Sequence, residues 1–538
     1  MLHDVIQRRR LPSRVWRGIA AAGAGAALLL TLLPPPTPAA LASATDATGT
    51  TGATGGRYDW LQYDGDPAHS GDNTQETALG AANVARLHRI FRVMLPSFVD
   101  GAPVSLHDVA TPGGVRDLLF VTTYAGQVLA LDAHTGATVW QHSYTSRQSC
   151  ASPFWTHRQT TEPCYTYSSP ALDPNRRYVY SYGMDGYVHK YAVGTGAEIA
   201  AGGWPELVTR KPAVEKLSSA LGVATARSGT SYLYAVTSSF GDVGDYQGHL
   251  TTINLSSGAQ HVFNALCGDR VDVHFALAPA ASDCPRTGAG LWGRAGVVYD
   301  RDTDKVYLAV GNGPYNPASR DWGQSVIALR PDGSVPAGLP LDRYTPADYD
   351  HLNVTDADLG STDPAILPAP AHSSARRLAV QGAKDGTLRL LNLDRLGAQT
   401  SQGGLGGEVG APLKAPQGEG VLSQPAVWVV PGKGNTWVFV GNGKGLSALT
   451  VTTTSAGMPT MTVMWSTRTV ACISPLVANG VLYCIANGHI RALDPVSGAV
   501  LWQDTGIGPV HWSSPVVANG MLYIADKGHA LTAYAPTP

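Results

Sequence analysis

The sequence predicts an all-β fold, an eight-bladed β-propeller of four-stranded antiparallel blades, with seven blades as the nearest alternative. Three observations predict it. First, a unit is written twice in tandem near the C-terminus. One copy starts at Ser474 and the next at Ser514, a step of 40 residues, and Pro475/Pro515, Asn479/Asn519, Gly480/Gly520, Tyr483/Tyr523, Gly488/Gly528 and His489/His529 fall in register without a gap. Second, each copy reads as short apolar strands separated by an Asn-Gly turn and then a Gly turn. Asn-Gly between two such runs is a strong hairpin signal, because both turn residues need positive φ. Third, the first copy adds a fourth strand ending in Trp502, whereas the last copy stops after its third strand at Tyr534. A lone strand, Arg86 to Val93, has no partner before it. It is expected to complete the last blade and close the ring, which removes two sheet edges at once.

The other segments follow in order. Residues 1–44 read as a signal peptide: Arg8, Arg9, Arg10, Arg14 and Arg17 precede an apolar run of 16 residues, Gly18 to Leu33, ended by Pro34-Pro35-Pro36. Ala40 to Ala44 offers small-residue cleavage sites, and the run is short for a membrane span. A secreted, extracytoplasmic protein is therefore expected, with no integral membrane segment after cleavage and no Cys placed for a lipid anchor. Residues 45–58 form a Thr/Gly/Ala-rich tail expected to be disordered. The propeller takes 59–538. Its blades are expected at about 101–144, 168–196, 218–264, 290–336, 361–397, 422–467 and 474–502, with the closing blade last. Long loops at 141–167, 264–293, 313–325, 337–360 and 396–421 are expected to gather over a face and shape a site.

Composition agrees. The chain has 61 Gly, 37 Pro and only 14% charged residues, a turn-rich balance, and a net charge of −2 gives no reason to expect nucleic acid as a partner. Six cysteines in an exported chain make disulfides the default. Cys472 and Cys484 flank a hairpin turn almost symmetrically, and Cys150–Cys164 and Cys267–Cys284 would each staple a long loop; other pairings stay open. There is no Cys-x-x-Cys, His-Glu-x-x-His, Walker A loop or Gly-x-Ser-x-Gly elbow.

Ala130-Leu131-Asp132-Ala133-His134-Thr135-Gly136-Ala137-Thr138-Val139-Trp140 and its second copy, Ala492 to Trp502, resemble the tryptophan-docking repeat of the pyrroloquinoline-quinone (PQQ) propeller superfamily. Asp and Gly build the turn, and the indole can wedge one blade against the next. Trp60 to His69 resembles the entry segment of such propellers. Within the chain, Leu291-Trp292-Gly293 with Val310-Gly311-Asn312-Gly313 resembles a recurring quinoprotein dehydrogenase stretch. The resemblance implies Trp292 under a quinone ring and Asn312 as a Ca²⁺ ligand, with Asn316 as an alternative register. It also implies a catalytic Asp in Asp356-Ala357-Asp358, hence Asp356 or Asp358, and a quinone-contacting Lys384. Asp242, or Asp245 beside it, stands near the position of a metal-binding acid.

The sequence departs from that family in three ways: it has no adjacent Cys pair, no counterpart on the third blade of the family's Glu in a Gly-Ala-Glu context, and no haem motif. Two functions are therefore expected. The leading one is a secreted binding or scaffold propeller, a monomer whose loop-rich face takes a protein or glycan and whose quinone site is degenerate. The alternative is a PQQ- and Ca²⁺-dependent dehydrogenase oxidising an alcohol or sugar. The residues alone require no cofactor; PQQ and Ca²⁺ enter through the resemblance. His511 and Trp512 either line a channel mouth or pack.

Overall fold

Asn479 and Gly480 take φ values of 45° and 70°, and Asn519 and Gly520 take 53° and 80°, so both Asn-Gly pairs form the left-handed turns that close two-residue hairpins. The strands they join, Ile473–Ala478 with Val481–Ala486 and Val516–Ala518 with Met521–Asp526, pair antiparallel as the spacing predicts. The computed structural model describes residues 56–143, 149–151, 161–268, 284–335, 341–397 and 407–537. The expected leader, 1–44, and the tail to residue 55 lie outside the described residues. Tyr58, at the end of the expected tail, is already packed: its hydroxyl donates to Glu76 Oε2 at 2.7 Å.

Eight blades of four antiparallel strands form, which settles the count against seven; the sheet of blade 7 gains a fifth, parallel strand, Asp72–Asn73, from the entry segment. Blade 1 runs from Val104–Thr111 to Thr138–Ser143, blade 2 from Ala171–Leu172 to Glu206–Leu207, and blade 3 from Gly222–Thr225 to Gln260–Asn264. Blade 4 runs from Val298–Asp300 to Asp342–Tyr344, blade 5 from Ala365–Pro368 to Leu413–Lys414, blade 6 from Ala426–Val429 to Pro459–Thr467, and blade 7 from Ile473–Ala478 to Val500–Asp504. Blade 8 takes its fourth strand, Leu87–Met94, from the N-terminal side, paired with Ala530–Pro536 as expected. Blades 2, 4 and 5 extend past the boundaries read from sequence. Their fourth strands are two or three residues long; those of blades 4 and 5 sit inside stretches read as loop, and that of blade 2, Glu206–Leu207, lies between the second and third expected blades.

The docking tryptophans do bridge blades. Trp140 donates through Nε1 to Val193 O of blade 2 at 2.8 Å, Trp465 to Pro495 O of blade 7 at 3.1 Å, and Trp502 to Leu87 O of blade 8 at 2.9 Å. Each indole buries its faces at a seam while its one polar group finds a carbonyl. A Cβ on Gly196 would lie 2.6 Å from the Trp140 ring, so the turn that receives the indole must be glycine. At the last seam Phe91 takes the indole's place, and a Cβ on Gly136 would meet its ring at 2.8 Å.

The entry segment does more than begin the chain. Between Tyr58 and Asn73 it hydrogen-bonds to the first strands of seven blades, through Ser105, Leu172, Val223, Tyr299, Val427, Val477 and Val517. Tyr63, fully buried, packs with Ala102, Ala220, Ala295 and Val298. This segment plugs the channel.

All three expected disulfides are present, Cys150–Cys164, Cys267–Cys284 and Cys472–Cys484. Among the described residues the one α-helix is Tyr349–Val354, and no helix is long and apolar enough to cross a membrane.

Candidate active site

In an antiparallel blade the start of the first strand and the end of the second lie at the same rim. Residues just before the first strands (Ser218, Trp292, Leu422, Trp512) and just after the second strands (Ser238, Ser239, Gly241, Asp242, Asn312, Lys384) therefore share one face. They line a single cavity of about 240 Å³. The entry segment bonds further along the same first strands, so it floors the channel away from this rim.

The cavity gathers Asp242, Trp292, Asn312, Asp358 and Lys384, which span 142 positions of sequence. Asp358 is its most constrained member, 3% exposed. Its Oδ2 accepts from the Trp292 indole at 2.8 Å and its Oδ1 from the Asn312 backbone N–H at 3.2 Å. Burial pushes its carboxyl up to about 6; Lys384 opposes that, while Asp356 and Asp242 add to it. Lys384 sits 6.0 Å from the Trp292 ring centroid and donates to Asp356 Oδ2 at 2.6 Å. Asp356 is exposed and also accepts from Asn312 Nδ2 at 3.2 Å. The two aspartates of Asp356-Ala357-Asp358 thus divide: Asp358 faces the cavity, and Asp356 stands outside it, bridging Lys384 and Asn312.

Asp242 takes φ of 60°, accepts from the Tyr246 hydroxyl at 2.6 Å and lines the cavity. Asp245 instead pairs with Lys211 at 2.9 Å. Asn316 turns into a short hairpin, where its Oδ1 caps the Ala318 N–H at 3.0 Å. The structure therefore places Asn312 and Asp242, not their alternatives, at the cavity. Among the described residues no three His, Cys, Asp or Glu side chains gather as a metal cluster. The hard-oxygen donors here are two carboxylates and an amide.

His511 and Trp512 line the opening, their rings stacked at 4.1 Å, with Trp512 6.1 Å from Trp292. Asp100 fixes them, accepting from His511 Nδ1 at 2.9 Å and the Trp512 N–H at 2.8 Å. Burial would raise the Asp100 carboxyl, but His511 and Arg294 hold it below the usual range. Arg294, fully buried, packs its guanidinium 4.7 Å from the Trp512 ring and donates to Ser218 O at 2.7 Å. Weaker bonds of 3.3–3.4 Å reach the carbonyls of Asp100, Tyr167 and Trp512, tying the starts of four other blades together.

Sequence reasoning missed Arg294 and Lys216. Lys216 is 3% exposed and lines the cavity from the strand Glu215–Lys216. A signal existed. Thr166, Lys216 and His511 each stand two residues before a Ser-Ser pair, Ser168-Ser169, Ser218-Ser219 and Ser513-Ser514, that precedes or opens a first strand.

Residues 60–392 match the family model of the glucose/ethanol/alcohol dehydrogenase β-propeller domain, and residues 391–537 match that of the outer membrane protein assembly factor BamB. Among solved structures, the quinohemoprotein alcohol dehydrogenase ADHIIG of Pseudomonas putida HK5 is similar at 13% identity and a TM-score of 0.58, over 89% of this chain and 80% of that one. A europium-containing methanol dehydrogenase is similar at 14% identity and 0.59, over 89% and 98%. The quinohemoprotein alcohol dehydrogenase of Comamonas testosteroni is similar at 15% and 0.58, over 90% and 81%. No curated protein matches the chain. At these identities the structural likeness is one of fold. Blades, docking repeats and ring closure define an eight-bladed propeller of the PQQ-repeat superfamily. Within it, the chain belongs to the glucose/ethanol/alcohol dehydrogenase β-propeller domain family, whose model spans well over half of it.

Proposed function

We propose that this chain is a PQQ-dependent quinoprotein dehydrogenase acting on an alcohol or a sugar, with Ca²⁺ as the accompanying ion. One observation carries the reading: five residues from distant parts of the sequence, each singled out for a role in quinone chemistry, line one cavity. The cavity suits a flat quinone. Two indoles, Trp292 and Trp512, face it, and it holds both cationic and carboxylate side chains. Asn312 and Asp242 are the residues that would hold Ca²⁺, with the remaining oxygens coming from the bound molecule and water.

When bound, the quinone supplies the acceptor for the electrons removed from a substrate C–H bond. The chain's own residues do the rest. Asp358, with its carboxyl near 6, is ionised at neutral pH and can take the hydroxyl proton of an alcohol at a carboxylate oxygen. The Trp292 indole N–H and the Asn312 backbone N–H fix that carboxylate's direction. Lys384 is held over the Trp292 face by Asp356, placed to orient a polar edge of whatever lies on the indole. The three disulfides favour an extracytoplasmic setting for this activity.

A binding scaffold with a degenerate site is the second reading. It is favoured by the missing adjacent cysteine pair, since all six cysteines are used in disulfides and none lines the cavity. Titrating the purified chain with PQQ and Ca²⁺ separates the two. Tryptophan quenching should saturate, and dye-linked alcohol oxidation should follow. Trp292→Ala should weaken binding about tenfold or more. Asp358→Asn should keep binding and lose about 10²–10⁴-fold in turnover. A chain that binds no PQQ at millimolar Ca²⁺ would sink the enzyme reading in favour of the scaffold.

A further inference from the structure

Lys216 is a buried lysine, 3% exposed, whose amine meets ring faces and pairs with no carboxylate among the described residues. Its strand, Glu215–Lys216, pairs with Ser238–Ser239, and alternation along the strand sends the two side chains opposite ways. Glu215 enters a hydrogen-bonded network with Thr209 and the Gln247 N–H. Lys216 turns to the cavity. Its Nζ lies 4.0 Å from the Tyr165 ring centroid, 4.0 Å from that of Tyr167 and 5.3 Å from that of Phe240. Among the described residues it has no hydrogen-bond acceptor and no ion pair. The carboxylates whose field reaches it are Asp100 and Asp242. Both are already committed, Asp100 to His511 and the Trp512 N–H, Asp242 to Tyr246.

A desolvated ammonium is costly, and ring faces compensate it only in part. Burial holds Lys216 well below the ordinary lysine range. A long apolar side chain would fill the same space among three rings at less cost. A lysine in that position makes sense if an anion completes it.

We propose that Lys216 is an anion-recognition residue of the cavity, and that the occupant is a flat, ring-bearing carboxylate whose carboxylate oxygen accepts from Lys216 Nζ. The class follows from the walls. Tyr165, Tyr167, Trp292 and Trp512 give ring faces, and Ser218 and Ser238 (hydroxyls 2.9 Å apart) give neutral polar groups beside the cation. On the quinone reading the carboxylate is one of those on PQQ, and to that extent the assignment of the ligand rests on the proposed function. The anion site itself rests on Lys216.

The test uses the full chain with PQQ and Ca²⁺, PQQ trimethyl ester, and naphthalene-2,6-dicarboxylate as a flat dianion without a quinone. The variants are Lys216→Met and Lys216→Arg. Calorimetric or fluorescence titration should show Lys216→Met binding PQQ about 10- to 100-fold more weakly, with Lys216→Arg losing much less. The wild type should prefer the acid over the ester, and Lys216→Met should lose most of that preference. The ligand-free Lys216→Met protein should melt no lower than wild type, which rules out misfolding as the cause. If PQQ fails to bind but the naphthalene dicarboxylate binds in a Lys216-dependent way, the quinone reading falls and the anion site stands. If Lys216→Met binds PQQ and the dicarboxylate as tightly as wild type, or if neither anion binds wild type at millimolar concentration, the anion site is overturned.

Discussion

Glu215 and Lys216 are sequence neighbours with opposite fates. Lys216 points at a cavity where a ligand can complete it. Glu215 is sealed among protein groups, and burial, the largest effect, pushes its carboxyl up to about 8 despite the Thr209 and Gln247 hydrogen bonds. Its folded value lies above its unfolded one, so the folded state holds a proton that the unfolded state has released between pH ~4.5 and ~8. The stability from this group is present in full below pH ~4.5 and is lost as pH rises through about 8. Glu215→Gln removes the titration and keeps an oxygen for the Gln247 N–H. Denaturant unfolding at pH 5 and pH 8.5 should show wild type losing on the order of a few kcal/mol more than the variant across that window. Equal slopes would contradict the assignment. At this scale the sequence reveals residue types but not which side chains meet. Trp292, Asn312 and Lys384 were legible because they sit in motif-like turns. Lys216 was not, because a lone lysine before a strand ordinarily marks a solvated surface, and only blade geometry turns it inward.

The elements were legible where they repeat. The 40-residue step, the Asn-Gly turns and the docking tryptophans fixed blades 1, 7 and 8 closely. The fourth strands of blades 4 and 5, Asp342–Tyr344 and Leu413–Lys414, were read as loop. A fourth strand is the outermost of its blade, paired on one side only and partly solvated, so its apolar alternation is weak. These two are also very short and carry no docking tryptophan. Where the tryptophan is present the seam is sharply specified, which can be tested at blades 1 and 2. Gly196 has φ of 70°, and a Cβ there would meet the Trp140 ring at 2.6 Å. Gly196→Ala combines a left-handed backbone penalty with overpacking and should cost about 2–4 kcal/mol. Trp140→Ala alone should also destabilise, through lost burial and the lost bond to Val193 O. Together the two should cost clearly less than their sum, because the clash disappears with the indole. Additive losses in a double-mutant cycle read by chemical unfolding would mean that the indole and the glycine do not specify each other.

A ring of blades has one seam that no chain continuity crosses, and here it is closed by Leu87–Met94 against Ala530–Pro536. The seam is reinforced by Arg89 with Asp504 at 2.9 Å, by Arg92 with Asp526 at 3.3 Å, and by Trp502 on Leu87 O. The same N-terminal region plugs the channel through Tyr58 to Asn73, so closure and plugging are covalently linked but physically separable. Removing residues 1–94 takes away both. It leaves Ala530–Pro536 paired only with Met521–Asp526, its other edge open as a template for pairing with another chain. That truncation should elute from a sizing column as dimers or larger species, where the intact chain is expected as a monomer. Tyr63→Ala isolates the plug. Tyr63 is fully buried at the channel centre, so its loss should cost about 3–5 kcal/mol while the closing strand stays paired. The variant should therefore melt earlier yet remain monomeric. The two results have to diverge for the reading to hold. Self-association of Tyr63→Ala would make the plug part of the closure, and a monomeric truncation with an unchanged melt would mean that the seam is not what keeps the ring shut.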